Sequence, residues 1–553
     1  MTPRTIRWTC AALCLGLASA ARPVSAALPP DALRTIRRIA VQDRGRVKPF
    51  DSFARETLAH ITGSPQHGSE DSVDTVLTIM AEPSPWQARP MIEVPFLPLR
   101  EVLGMGRHEP RASYNDLVAS RKLMRMLPAI VEKQQRGDKL TMLEQETMDA
   151  FDRFVSFSGL AEQKVNLAPP PSAIEQVWLP VLEPAGHPDD RQAVIREAWT
   201  ALMNDVRAGR ADAIGVSARR LAERLRAANP AAYPASWRIE LEVFYNHASP
   251  FRAARLCYLA AVLGLLVALL RPTHRLAARL GLAALWGGAA LHAAGILLRV
   301  VLGGRPPVSN FYETTLWLPF VAVVLALVFG RVYRAAYFGL AAAILAGIML
   351  TLADHLPLDS SISPVVAVLR SNLWRTIHVL TIVASYGALA LATVLAHVYG
   401  ALVLSRRGRH PALASLDLFL YRTIQVGVVL LAGGIMLGAV WANASWGRYW
   451  GWDPKETWAL ITLLWFIAVL HGRFAGWLQG VGVALSTIGG FLLLLMTYYG
   501  VSFYLVGLHS YAGGNAKPLP ALLIGYLVAE VLFVLAVGLA ALRPRKPFSA
   551  PGV

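Results

Sequence analysis

Cysteine is almost missing from this sequence, with three in 553 residues. Cys10 and Cys14 lie in an apolar N-terminal stretch whose removal would leave Cys257 alone, so structural disulfides are not expected. There is no C-x-x-C-H, and the chain is therefore not itself a c-type cytochrome. A formal net charge of +17 is not accompanied by anything resembling a nucleic-acid reading module. Its excess sits in short loops between apolar runs and not along one amphipathic face. Residues 27–250 hold no catalytic constellation either: His60, His67, His108 and His187 stand isolated and read as surface or core histidines.

What is present is apolar length. At 55% hydrophobic residues and a mean hydropathy of +0.43, the chain is too apolar for an ordinary soluble protein, and the excess is concentrated in its second half. The N-terminus carries Arg4 and Arg7, an apolar run from Trp8 to Ala20 and a small-residue Val24-Ser25-Ala26 site. It reads as a secretory signal over 1–26, with an uncleaved anchor as the alternative. Residues 27–250 are mixed in polarity, broken near Pro169 to Pro171, and carry amphipathic patterns near 114–157 and 189–228. They predict an exported, mostly helical soluble domain, with Val41 to Phe50 as a docking or turn segment.

Residues 251–542 predict an all-α polytopic domain with about nine spans, near 254–270, 280–298, 314–330, 335–352, 379–404, 423–440, 457–471, 480–499 and 518–541, followed by a cytoplasmic tail over 543–553. With the soluble domain outside, every descending span ends at a basic loop: Arg271 to Arg279, Arg331 and Arg334, Arg406 to Arg409, His471-Gly472-Arg473, and Arg543 to Lys546. The same topology puts Gly303–Glu313, Ala353–Arg375, Trp441–Glu456 and Val501–Lys517 outside.

The third of these loops is the most informative. Between Trp441 and Trp458 it holds five tryptophans and Tyr449, with glycines that admit a flat partner and an embedded Asp453-Pro454-Lys455-Glu456. Tryptophan belts anchor proteins at membrane interfaces, but a belt requires no carboxylates among the rings. A large planar ligand with a charged edge accounts for both.

This run resembles the WWD motif, W-G-x-x-W-x-W-D-x-x-E, of the haem-handling proteins of cytochrome c biogenesis, with Trp446, Gly447, Trp450, Trp452, Asp453 and Glu456 at its positions. Within that superfamily, which includes CcmC and CcmF, the chain is most similar to CcsA, the membrane haem-delivery component of the System II synthase that works with or fused to CcsB. Gly304 to Glu313, Trp374 to Val379 and Gly507 to Tyr511 carry the likeness further, over roughly 240–542. A full CcsB region cannot be aligned onto the N-terminal domain.

Two histidines can be weighed without the resemblance. His378 at the outer start of one span and His509 in an outer loop fall on the same side as the aromatic loop, and two neutral imidazoles can fill both axial positions of a haem iron. The resemblance agrees, and implies that His471, at the inner end of its span, binds a second, intramembrane haem on its way outward. Depth favours His397 over His292 as a second inner ligand, with a histidine from a separate subunit as the alternative; His247, His274, His355 and His410 read as solvated.

The resemblance further implies non-covalently held haem b, C-x-x-C-H apocytochromes c as partners, a CcsB-type (ResB-like) membrane partner and cooperating thiol reductants. It places the protein in a bacterial inner membrane, as the membrane component of a thioether-forming holocytochrome c synthase. Asp453, Lys455 and Glu456 would meet polar edge groups of the haem, while Trp446, Trp450 and Trp452 pack on the macrocycle. Two other readings stay open here: a CcmC-like chaperone that hands haem onward, and an unrelated transporter with an interfacial aromatic belt.

Overall fold

The computed structural model describes residues 28–171, 177–182, 190–356, 358–363, 373–406, 412–508 and 520–542. The signal segment, His187, His410, His509 and the C-terminal tail lie outside these. The chain divides into two compact units, one ending at Ile239 and the other containing everything from Glu240 onward.

The first unit is mainly helical, with helices such as Phe50–Thr62, Ser72–Ala81 and Ala211–Ala228 packed through fully buried Leu58, Leu77, Leu221 and Leu225. It also contains short strands that the helical reading did not anticipate. The Val41 to Phe50 segment is a hairpin, Ala40–Asp43 and Arg46–Pro49, turned at Arg44 and Gly45, which both have positive φ as a two-residue primed turn requires. That hairpin belongs to a four-stranded sheet with Asn166–Ala168 and Leu179–Pro180. Strands of two to four residues leave too little alternation to be seen against longer helical patterns.

One carboxylate in this unit is held unusually. Burial, reinforced by Asp71 and Glu70, pushes the Asp74 carboxyl up from 3.8 to about 6. Between those values the native unit holds a proton that the unfolded chain has released, so stability is greater below the window and falls as pH rises through it. Asp74→Asn is expected to flatten that dependence, read from hydrogen exchange in the Ser72–Ala81 helix as a function of pH.

Among the described residues of the second unit, nine helices are long and apolar enough to cross a membrane: Ser236–Leu270, Arg275–Gly303, Phe311–Tyr333, Tyr337–His355, Leu373–Ser405, Leu413–Trp446, Pro454–Phe474, Val481–Tyr504 and Ala521–Leu542. They are called the first to ninth spans below, and each overlaps its sequence-based counterpart. The protein is a multi-pass membrane protein. The fifth span is the centre of the bundle, with 72% of its apolar window buried against 11% for the ninth.

Length decides what the fifth and sixth spans do. Their helices, Leu373–Arg406 and Leu413–Trp446, have 34 residues each. At ~1.5 Å per residue that is about 51 Å, against about 30 Å of hydrocarbon. Both therefore project beyond the lipid, and the sixth carries Trp441 and Trp446 on helical backbone. The loop expected over Trp441–Glu456 is accordingly shorter: the helix ends at Gly447, which forms a left-handed cap, and the next begins at Pro454.

Candidate functional site

His378 lies on the fifth span, half-buried against the sixth. Its Nδ1 is 2.7 Å from the carbonyl oxygen of Gly434. A carbonyl only accepts, so Nδ1 carries the proton and Nε2 the lone pair, the tautomer a metal-ligating histidine is held in by an outer-shell acceptor. The ring stacks on Trp441 at 6.1 Å and 13°, and Trp441 meets Trp446 edge-on at 4.8 Å. Close approach of the two helices depends on Gly438, where an added Cβ would stand 2.7 Å from His378 Cε1. Gly438→Ala is expected to push the imidazole off its carbonyl; the ¹⁵N signals of His378 in the purified variant, which would lose the signature of the single Nδ1-protonated tautomer, measure it.

The loop after Gly447 presents aromatic surface. Trp452 has φ +56, a left-handed conformation rare for a bulky residue, and its side chain is 71% exposed. The carboxylate of Glu456 holds that strained turn by accepting from the amides on either side, Gly451 N at 2.8 Å and Asp453 N at 3.2 Å. Trp450 packs perpendicular to Trp452 at 5.8 Å, and Tyr449 is also exposed.

Asp453 is 6% exposed and does two jobs. One carboxylate oxygen accepts from Lys455 N at 2.9 Å and, with Glu456, forms a capping box at the start of the seventh span. The other accepts from the amide of Leu508 at 2.7 Å, tying the aromatic loop to the end of the eighth span. Gly507 makes that approach feasible, since a Cβ there would lie 2.5 Å from the same oxygen. Lys455 turns inward, its Nζ donating to Ser502 Oγ at 2.7 Å and to the Tyr498 carbonyl at 3.3 Å, beside a π-helical turn over Met496–Gly500. These carboxylates and this ammonium are engaged with the protein's own groups.

The Gly304 to Glu313 segment builds the neighbouring rim. Buried Glu313 accepts from Arg299 Nη2 at 3.0 Å, Arg305 Nη1 at 2.7 Å and the Ser309 amide at 2.9 Å. The same two arginines donate to the carbonyls of Ser360, Ser361 and Ser363, so one network fixes two loops at the end of the bundle that holds His378. The sequence marked this segment only by likeness and gave it no role.

The three histidines expected to serve an intramembrane haem separate. His471 is exposed near the C-terminal end of the seventh span, with Nδ1 on the Ile467 carbonyl at 2.9 Å, so its lone pair also resides on Nε2. His397, favoured on depth, has both ring nitrogens committed, Nδ1 to the Thr393 carbonyl at 2.8 Å and Nε2 to Glu530 at 2.9 Å. His292 is wholly enclosed by Phe251, Tyr258 and Phe320, with Nδ1 3.2 Å from the Tyr258 hydroxyl. His397 thus has both nitrogens engaged, whereas the Nε2 of His292 is buried with no hydrogen-bond partner among the described residues. His509 lies outside the described residues.

A family model described as cytochrome C assembly protein matches residues 308–509, which includes Glu313 of the rim, His378, the aromatic loop and His471. The chain is 31% identical over 501 residues to protein NrfI of Wolinella succinogenes, covering 86% of this chain and 54% of NrfI. It is 35% identical over 256 residues to cytochrome c biogenesis protein CcsA of Guillardia theta, covering 40% of this chain and 83% of that protein. For CcsA of Parasynechococcus marenigrum the figures are 35% over 254 residues, 39% and 81%. The chain thus spans about half the length of NrfI, and that likeness runs well beyond the 240–542 region into the N-terminal unit.

Proposed function

The chain belongs to the cytochrome c assembly protein family, and from that membership we propose that it carries haem to the outer face of a bacterial inner membrane and holds it there for attachment to C-x-x-C-H apocytochromes. The observation that carries the reading is His378: a ring locked on a backbone carbonyl through Nδ1, backed by Trp441, at the end of the bundle where Trp452 is exposed. The donor chemistry fits a haem iron, which neutral imidazole nitrogen ligates.

In this reading His378 and His509 supply axial nitrogens, while Trp446, Trp450 and Trp452 pack on the macrocycle. Asp453 and Glu456 shape the loop that presents those rings. Haem b is the substrate, and when bound it supplies two vinyl groups; each S–H of the apocytochrome adds across one of them, with no net oxidation. The chain's contribution is to position the reactants, which is worth up to ~7–11 kcal/mol when alignment is good. His471 is the inner ligand. With both nitrogens of His397 engaged, its opposite number comes from a CcsB-type (ResB-like) membrane partner, with His292 as the alternative within the chain.

Co-expression with a C-x-x-C-H reporter and a CcsB-type partner, in cells lacking other maturation proteins, tests this. Haem that stays on the reporter through denaturing electrophoresis is the expected result. A reporter that acquires haem only when a further chaperone is restored would contradict it and favour a carrier that hands haem onward.

A further inference from the structure

The ninth span contains a single charged residue, Glu530, among 22 residues that are otherwise apolar or small. It is 4% exposed although the span itself is peripheral. A carboxylate within a membrane span is costly and marks a function or a partner. Here Oε1 accepts from the Tyr526 hydroxyl one turn earlier, and Oε2 lies 2.9 Å from Nε2 of His397 on the fifth span. Phe533 stacks on the imidazole at 5.0 Å.

The proton count follows from the partners. Nδ1 of His397 faces the Thr393 carbonyl at 2.8 Å, which only accepts, so Nδ1 bears a hydrogen. In a neutral imidazole Nε2 would then be a bare acceptor, and an ionised Glu530 is also only an acceptor. A hydrogen bond between them needs one further proton. Whether that proton rests on nitrogen or oxygen, the pair is neutral overall and titrates as a unit. Losing it would leave a lone negative charge inside the bundle and gaining another a lone positive one, both heavily penalised.

The surrounding helices offer nothing else to balance either charge. No other charged side chain lies on the fifth span between His378 and Arg406, on the eighth span, or on the ninth; the remaining titratable groups there are Tyr386, Tyr399, Tyr498, Tyr499, Tyr504 and Tyr526. On the adjacent sixth span, Asp417 is paired with Arg473 at 2.6 Å and Arg422 with Gln425 at 3.1 Å.

We propose that His397 and Glu530 share one proton as a net-neutral pair, a proton-binding site inside the membrane domain that docks the ninth span on the fifth. The proposal does not depend on haem.

Solid-state NMR of the full chain, ¹⁵N-labelled at histidine and embedded in lipid, tests it, with the His397 signals identified by their loss in His397→Gln. They are expected to stay constant between about pH 5 and 8, where solvent-exposed histidines titrate, whichever atom holds the shared proton, and to be those of a neutral imidazole in Glu530→Gln, whose amide bonds the ring without the extra proton. Thermal unfolding in detergent gives a second reading: His397→Ala and Glu530→Ala each lower the midpoint, whereas His397→Phe with Glu530→Leu recovers most of the loss, because the penalty lies in stranding one partner. A His397 signal that titrates across that range, or a double variant that loses the sum of the two singles, would overturn the proposal.

Discussion

His378→Ala is expected to abolish covalent haem on a co-expressed C-x-x-C-H reporter, with a loss of at least about a hundredfold. Changes in the outer shell of a metal site already cost about 10–100-fold, and this change removes the donor atom itself. The surrounding architecture gives the prediction a second, more specific arm. The ring sits in a space bounded by Gly434, Gly438 and Trp441, and alanine leaves that space vacant while the two helices remain packed through Ile382 and Leu389. Imidazole added to the culture is therefore expected to restore part of the attachment by entering where the side chain was. Haem staining of the reporter with and without imidazole measures both arms. Full maturation in the variant, or a defect that imidazole leaves untouched together with loss of the protein from the membrane, would remove the ligand assignment.

Asp453→Ala has the next largest expected effect, for reasons located in the loop and not in a ligand contact. The substitution removes a helix cap worth ~0.5–2 kcal/mol and a charge-assisted hydrogen bond to Leu508 worth ~1.5–3 kcal/mol. Both act on the same few residues, so the strained presentation of Trp452 and the tether to the end of the eighth span fail together. Haem retained through purification is expected to fall about tenfold or more, with membrane insertion unchanged. Asp453→Asn is the discriminating companion: its one amide oxygen can cap the helix or accept from Leu508, but not both, so it should retain an amount of haem between alanine and the native protein. If the carboxylate instead met a charged edge of the ligand, asparagine and alanine would be equally damaging.

The spans were legible because bilayer thickness imposes a length that composition reveals directly, and all nine overlap their sequence-based counterparts. Their ends were less so. Trp441 to Trp446 read as loop because aromatic residues near an interface look alike whether or not the helix continues, and only tertiary packing against His378 shows that it does. The role of Asp453-Pro454-Lys455-Glu456 was present in plain form, an acidic cap, proline at the first helical position and glutamate three residues after the cap. His397 shows the limit of depth as an argument: depth placed it well for a ligand, while the commitment of its second nitrogen depends on Glu530, 133 residues away. A lone carboxylate in the ninth span was itself a visible signal that a partner had to exist.

The claim on which the rest depends is that haem is held through His378 at the outer end of the bundle. The absorption spectrum of the full-length protein, purified from haem-replete cells beside its His378→Ala counterpart, tests this most directly. A Soret band with the sharp visible bands of two nitrogen ligands in the native protein, weakened or shifted in the variant, is the predicted result. A native protein without a Soret band, or two superimposable spectra, would contradict it.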